Sequence, residues 1–183
     1  MNLPPKLKLK DEVILIAPAR KVELGSLIMA ENLLLKWGLK PLRSNNILAE
    51  AGVFAGNKEK RTLDLQWAID HPTAKAIWCF RGGYGSIQLL EGLNPVSFLQ
   101  NPKWIMGFSD ITNIHCFSNI ILNTASIHST MPINIDSNTP QSLESLKEFL
   151  FKQEINYIKQ GGQLIFHLPK LDIINKYNYK DYL

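Results

Sequence analysis

The feature that most restricts the fold is a set of short, wholly apolar runs separated by stretches of helical periodicity. Val13-Ile14-Leu15-Ile16-Ala17 is apolar throughout and rich in β-branched residues. A run with no polar alternation suits a strand covered on both faces, as in a parallel sheet. Ala74 to Phe80 and Lys103 to Met106 have the same character, with Leu39 to Arg43 and Ala125-Ser126-Ile127 as shorter candidates. Glu23 to Trp37 repeats apolar residues at helical spacing and stops at Gly38, a residue type that ends helices. Lys58 to Ile69 is a second helix, with Leu63, Leu65, Ala68 and Ile69 expected inward, closed by Pro72. Asn113 to Leu122 and Leu143 to Leu150 give two more, with short helical turns at Ile87 to Leu90 and Val96 to Leu99, while Asn45 to Gly56 reads as loop. Strands alternating with helices predict an α/β fold with a mainly parallel sheet flanked by helices.

The 183 residues suit one domain, or one domain plus part of another. With 45% hydrophobic and 20% charged residues the chain can bury a real core. The net charge of +4 comes from scattered lysines, which argues for solubility and against nucleic-acid binding. No apolar run reaches the length of a membrane span. Met1 to Lys10 alternates Leu and Lys and lacks the apolar centre of a signal peptide. Cys79 and Cys116 sit within apolar segments and are expected to be reduced core residues. The expected location is cytoplasmic, with no membrane partner.

Ligands of such sheets bind beyond the carboxyl ends of the strands. Two segments there carry chemistry. Arg81-Gly82-Gly83-Tyr84-Gly85-Ser86 follows the third strand, and Gly107-Phe108-Ser109-Asp110-Ile111-Thr112 follows the fourth. A serine at a sharp strand-to-helix turn has the outline of a nucleophile elbow, although Ile111 stands where a second glycine is usual. The plainer reading makes Ser109 and Asp110 helix caps. Gly82, Gly83 and Gly85 allow a backbone that points N–H groups at a ligand, as a phosphate cradle or as half of an oxyanion hole facing Ser109. Neither a dinucleotide fingerprint nor a P-loop is matched, and a tight turn is the plainer alternative. Arg81 could hold a substrate carboxylate.

A serine nucleophile needs a base, and the base an acid to orient it. His71 precedes Pro72 at a helix end and reads as structural. His115 falls about one and a half turns beyond Ser109 and points away from it. His128 follows the fifth strand at the active edge and is the best local candidate for the base, although a loop histidine that simply hydrogen-bonds backbone fits equally well. His167 lies in a tail with no recognisable pattern. No acid partner stands out, and the His and Cys spacing matches no zinc site.

These segments resemble, in order, the N-terminal part of the LD-carboxypeptidase family, the muramoyltetrapeptide carboxypeptidases of serine peptidase family S66. The matching stretches are Ile16-Ala17-Pro18-Ala19, Ala76 to Ser86, Trp104 to Thr112, and Ile127-His128 with Met131. The resemblance covers about residues 12 to 150. It implies an N-terminal domain of flavodoxin-like or class I amidotransferase-like type over residues 1–150. Residues 151–183 would be a linker and a truncated or divergent start of a C-terminal domain that is otherwise largely absent. It implies cleavage of an L,D-amide to release terminal D-alanine from murein tetrapeptides during cell-wall recycling, although some relatives cleave a peptide-nucleotide antibiotic. Ser109 sits where the family has its nucleophile. The N–H of Asp110 and one from the Gly82-Gly83 turn sit where it has its oxyanion hole, with Arg81, Tyr84 and His128 as substrate contacts.

No cofactor or metal is implied. The family's Glu and His partners come from its C-terminal domain, so this chain alone is expected to be inactive. His128-Ser129-Thr130-Met131 departs from the family's His-Gly-Pro-Met, and the Gly-Gly-Asn-Leu expected after Gly162-Gln163-Leu164-Ile165 is missing. The alternatives are a non-catalytic peptide-binding or remnant domain of the same fold and, more weakly, a nucleotide-binding module. Exposure of Leu164, Ile165 and Phe166 would favour a homodimer.

Overall fold

The structure is a computed structural model and describes residues 1–153. The expectations for residues 162–167, including His167 and the exposed apolar patch, lie outside the described residues. Five strands form one sheet: β1 (Glu12–Ile16), β2 (Lys40–Arg43), β3 (Ala76–Cys79), β4 (Trp104–Gly107) and β5 (Ile127–His128). Their order is β2-β1-β3-β4-β5, and every pairing is parallel. The helices are α1 (Leu24–Lys36), α2 (Lys58–Asp70), α3 (Val96–Gln100), α4 (Thr112–Cys116) and α5 (Pro140–Lys152).

The apolar runs explain the layering. Alternate residues of a strand face opposite sides of the sheet. Val13, Leu15, Ala76, Trp78, Trp104 and Met106 form one core, packed against Leu27, Ala30 and Leu34 of α1 and Leu146 and Leu150 of α5. Ile14, Ile16, Ile77, Cys79 and Ile105 form the other, against Leu65, Ala68 and Ile69 of α2 and Ile114 of α4. β1, β3 and β4 are thus covered on both faces, as their unbroken apolar sequence requires.

Four local readings change. Leu63 points outward, and Arg61 and Asp64 of α2 are buried in its place. Cys79 is buried but Cys116 is exposed, and both are free thiols. β5 starts at Ile127 because the chain just before it bonds to the N-terminal segment, with Ala125 N–H donating to Asn2 O at 2.8 Å. The helix from Thr112 is α-helical only to Cys116 and continues as a π-helical turn over Phe117–Ile121.

The strand order places β2 and β3 on opposite sides of β1. The connections leaving β1 and β3 therefore diverge and open a crevice at their carboxyl ends, the usual ligand position in open α/β sheets. Pro18-Ala19-Arg20 lies on one side of that crevice and the Arg81 to Gly85 loop on the other.

Candidate active site

The turn after β4 holds Ser109 at φ 60°. That left-handed conformation costs a side-chain-bearing residue about 1–2 kcal/mol, and such strain gathers at functional turns. Two contacts shape the approach. Gly107 has φ 154°, and a Cβ there would stand 2.9 Å from Ile111 Cγ2. The Gly107 carbonyl accepts the Ser129 N–H at 3.0 Å and pairs with His115 Nε2 at 2.9 Å. Ser109 itself is exposed.

The glycine loop packs directly on this turn. A Cβ on Gly82 would lie 3.2 Å from Asp110 N and 3.4 Å from Ser109 Cβ. A side chain at Gly82 would therefore cover the backbone N–H beside the serine. Gly83 is exposed with φ 114°, and Gly85 has φ 133°. The sequence expected Ser109 and Asp110 to lie beside Gly82, and the structure brings these three together.

Asp110 does not cap its own helix. Its carboxylate accepts the Ser86 N–H at 3.0 Å and the Asn113 Nδ2–H at 3.3 Å. Its carbonyl accepts the Ser86 hydroxyl at 2.6 Å and Asn113 Nδ2–H at 2.9 Å. The serine turn and the end of the glycine loop are thereby joined on both sides of Asp110.

Sequence reasoning missed Arg61, which fixes the loop from below. Its Nη1 donates to Pro18 O and Gly85 O, both at 3.0 Å, and its Nη2 to Gln88 Oε1 at 2.8 Å. The guanidinium also lies 4.8 Å from the Phe54 ring centroid, a cation–π contact. Burial lowers its pKa, opposed by the Asp110 and Glu59 carboxylates. The signal was available: Arg61, Leu65 and Ala68 fall at i, i+4 and i+7 of one helix face.

Arg81 donates through Nη1 to Lys21 O at 3.2 Å. Tyr84 is exposed and tilts against Phe54. His128 is exposed at the end of β5, paired in register with Gly107. Its ring centroid lies 6.1 Å from those of Phe108 and His115. His115 is buried, and burial lowers its pKa despite the Gly107 carbonyl. His71 instead accepts the Ala74 N–H at the end of α2. The His128-Ser129-Thr130-Met131 loop is anchored where Trp78 Nε1–H donates to Thr130 O at 2.9 Å. Among the described residues, no three His, Cys, Asp or Glu side chains are grouped to hold a metal.

The model of the LD-carboxypeptidase N-terminal domain matches residues 13–129, which include the glycine loop, the serine turn and β5. The chain belongs to the LD-carboxypeptidase family. It is 39% identical over 102 residues to the murein tetrapeptide carboxypeptidase of Pseudomonas aeruginosa, covering 55% of this chain and 33% of that protein. A muramoyltetrapeptide carboxypeptidase from Oxalobacter formigenes superposes with a TM-score of 0.65 at 24% identity, covering 75% of this chain and 47% of that one. The microcin C7 self-immunity protein in complex with aspartyl sulfamoyl adenosine superposes with a TM-score of 0.77 at 18% identity, covering 86% and 50%. These two likenesses show the fold. The chain spans about half the length of the curated relatives it matches. Among the described residues of this LD-carboxypeptidase-family chain, no helix is long and apolar enough to cross a membrane.

Proposed function

We propose that this chain carries the nucleophile half of a cytoplasmic LD-carboxypeptidase that releases terminal D-alanine from murein tetrapeptides. In this reading residues 1–150 form the N-terminal domain, and the chain from 151 leads into a second domain. The supporting observation is the packing of Gly82 on a Ser109 turn of positive φ, with Asp110 N beneath it. Ser109 Oγ attacks the carbonyl of the L,D-amide. The developing oxyanion is taken by N–H groups of Asp110 and of the Gly82-Gly83 turn, donors held rigid before reaction. Collapse breaks the C–N bond and releases D-alanine as its nitrogen gains a proton. Water then cleaves the acyl-serine and regenerates the hydroxyl. Arg81, Tyr84 and His128 border the approach.

The serine proton needs a base. Among the described residues neither His115 nor His128 has a hydrogen bond to a carboxylate, so neither is oriented as a triad histidine is. In this reading the His and Glu come from the second domain, and the described residues alone do not turn over. The same observation supports a second reading, a peptide-binding domain without catalysis.

The test pairs binding with D-alanine release, using the 183-residue chain, its Ser109→Ala variant and a murein tetrapeptide. The proposal predicts tetrapeptide binding without release. Serine-dependent release would contradict the need for an outside base, and absence of binding would contradict the substrate.

A further inference from the structure

We propose that Arg20 is a carboxylate-binding residue of this site, receiving the C-terminal carboxylate of the peptide whose last amide faces Ser109. This rests on the function proposed above and adds a recognition residue to it. Arg20 belongs to the loop leaving β1, on the side of the crevice opposite the glycine loop.

Its side chain is laid across Gly83. A Cβ on Gly83 would stand 2.6 Å from both Arg20 Cδ and Nε, and 3.0 Å from Cγ. The absence of a side chain at Gly83 is what lets the arginine stem lie there. Gly83 adjoins Gly82, and Gly82 touches Ser109 and Asp110, so Arg20, the glycine loop and the serine turn form one continuous surface.

The backbone around Arg20 is pinned. Residue 20 forms an antiparallel bridge with Phe54, and Ala55 N–H donates to Ala19 O at 3.1 Å. Its guanidinium, by contrast, has no hydrogen-bond or ion-pair partner among the described residues. Its two cationic neighbours are already engaged: Lys21 Nζ pairs with Glu50 at 2.7 Å, and Arg81 donates to Lys21 O. Arg20 is thus the cation of this rim with its whole donor fork open. A guanidinium fork matches a carboxylate with two parallel hydrogen bonds. A carboxypeptidase must select the chain end, and a cation laid along the glycine loop beside the serine turn would provide that selection.

The experiment compares one D-alanine-terminated tetrapeptide as free acid and as C-terminal amide, binding to the 183-residue chain by calorimetry. The free acid is expected to bind the wild type about tenfold more tightly, the scale of one charge-assisted contact at a partly exposed site. Arg20→Met keeps an apolar stem over Gly83 and should abolish the preference while leaving amide binding unchanged. Arg20→Lys should restore part of it, and Arg81→Met should leave it intact. A preference that survives Arg20→Met, or disappears with Arg81→Met, overturns the assignment. Equal binding of acid and amide to the wild type overturns it without any variant and leaves the substrate reading standing. Failure of both peptides to bind overturns the substrate reading and this inference with it. In labelled wild-type protein the free acid should also shift the Arg20 Nε–H and Gly83 N–H resonances. Unmoved resonances under saturation would contradict the contact independently of any variant's folding.

Discussion

Ser86 and Asp110 are bonded twice across two loops. The Ser86 N–H meets the Asp110 carboxylate at 3.0 Å, and its hydroxyl meets the Asp110 carbonyl at 2.6 Å. The pair joins the end of the glycine loop to the residue after Ser109, so the two halves of the candidate oxyanion site are tied to each other. Ser86→Ala leaves the Asp110 carbonyl short of a donor and is expected to cost about 1–2 kcal/mol. Asp110→Ala removes the acceptor of the Ser86 N–H. Their losses should be non-additive, because the two residues share one network. Urea denaturation of the two single variants and the double variant checks this, and full additivity would count against the coupling.

Ser109 stores strain that a glycine would relieve. At φ 60° a Cβ is unfavourable, so Ser109→Gly should be more stable than Ser109→Ala by about 1 kcal/mol. Both variants lose the hydroxyl, so the difference isolates the backbone. Equal stability would mean that the turn is not strained.

Arg61 is the buried clamp of the loop. Arg61→Met removes the donors to Pro18 O, Gly85 O and Gln88 Oε1, and unsatisfied buried acceptors are costly. The expected loss is about 2–3 kcal/mol in denaturant unfolding, with partial recovery in Arg61→Lys. A loss below a few tenths would show that the loop holds without it.

His115 sets an acid limit on stability. Burial lowers its folded-state pKa, so below the ordinary histidine value near 6.5 the unfolded chain binds a proton that the folded chain refuses. Stability is unaffected above that value and falls as the pH drops through it, until the folded-state value is passed. His115→Gln should flatten that loss below about pH 6.5, measured by urea unfolding as the pH is lowered. An unchanged slope would assign it to other groups.

Most of the fold was legible because β1, β3 and β4 are buried on both faces, and continuous apolar runs report that burial directly. β5 was misplaced because two consecutive short stretches compete for partners. Ala125 bonds to Asn2, far away in sequence, and only Ile127 and His128 pair with β4. Of the candidate site, Ser109, Asp110 and Gly82 were legible through motif and strand-edge position. Arg61 and Arg20 were not. A charged residue on a mixed helix face reads as solvent-exposed, and a loop arginine reads as surface until the parallel pairing of β1 with β3 brings the loops that follow them together and lays it on Gly83.

The central claim is that Ser109 is a nucleophile whose oxyanion donors are already assembled. It is tested most directly with a murein-peptide analogue in which a boronic acid replaces the scissile carbonyl of the residue that precedes D-alanine. Boron accepts the serine oxygen and becomes tetrahedral as the hydroxyl proton passes to the buffer, so its ¹¹B resonance reports the bond. The wild-type chain should show the tetrahedral signal and Ser109→Ala should not. A signal of equal intensity in both, or none in the wild type, would contradict the assignment of Ser109.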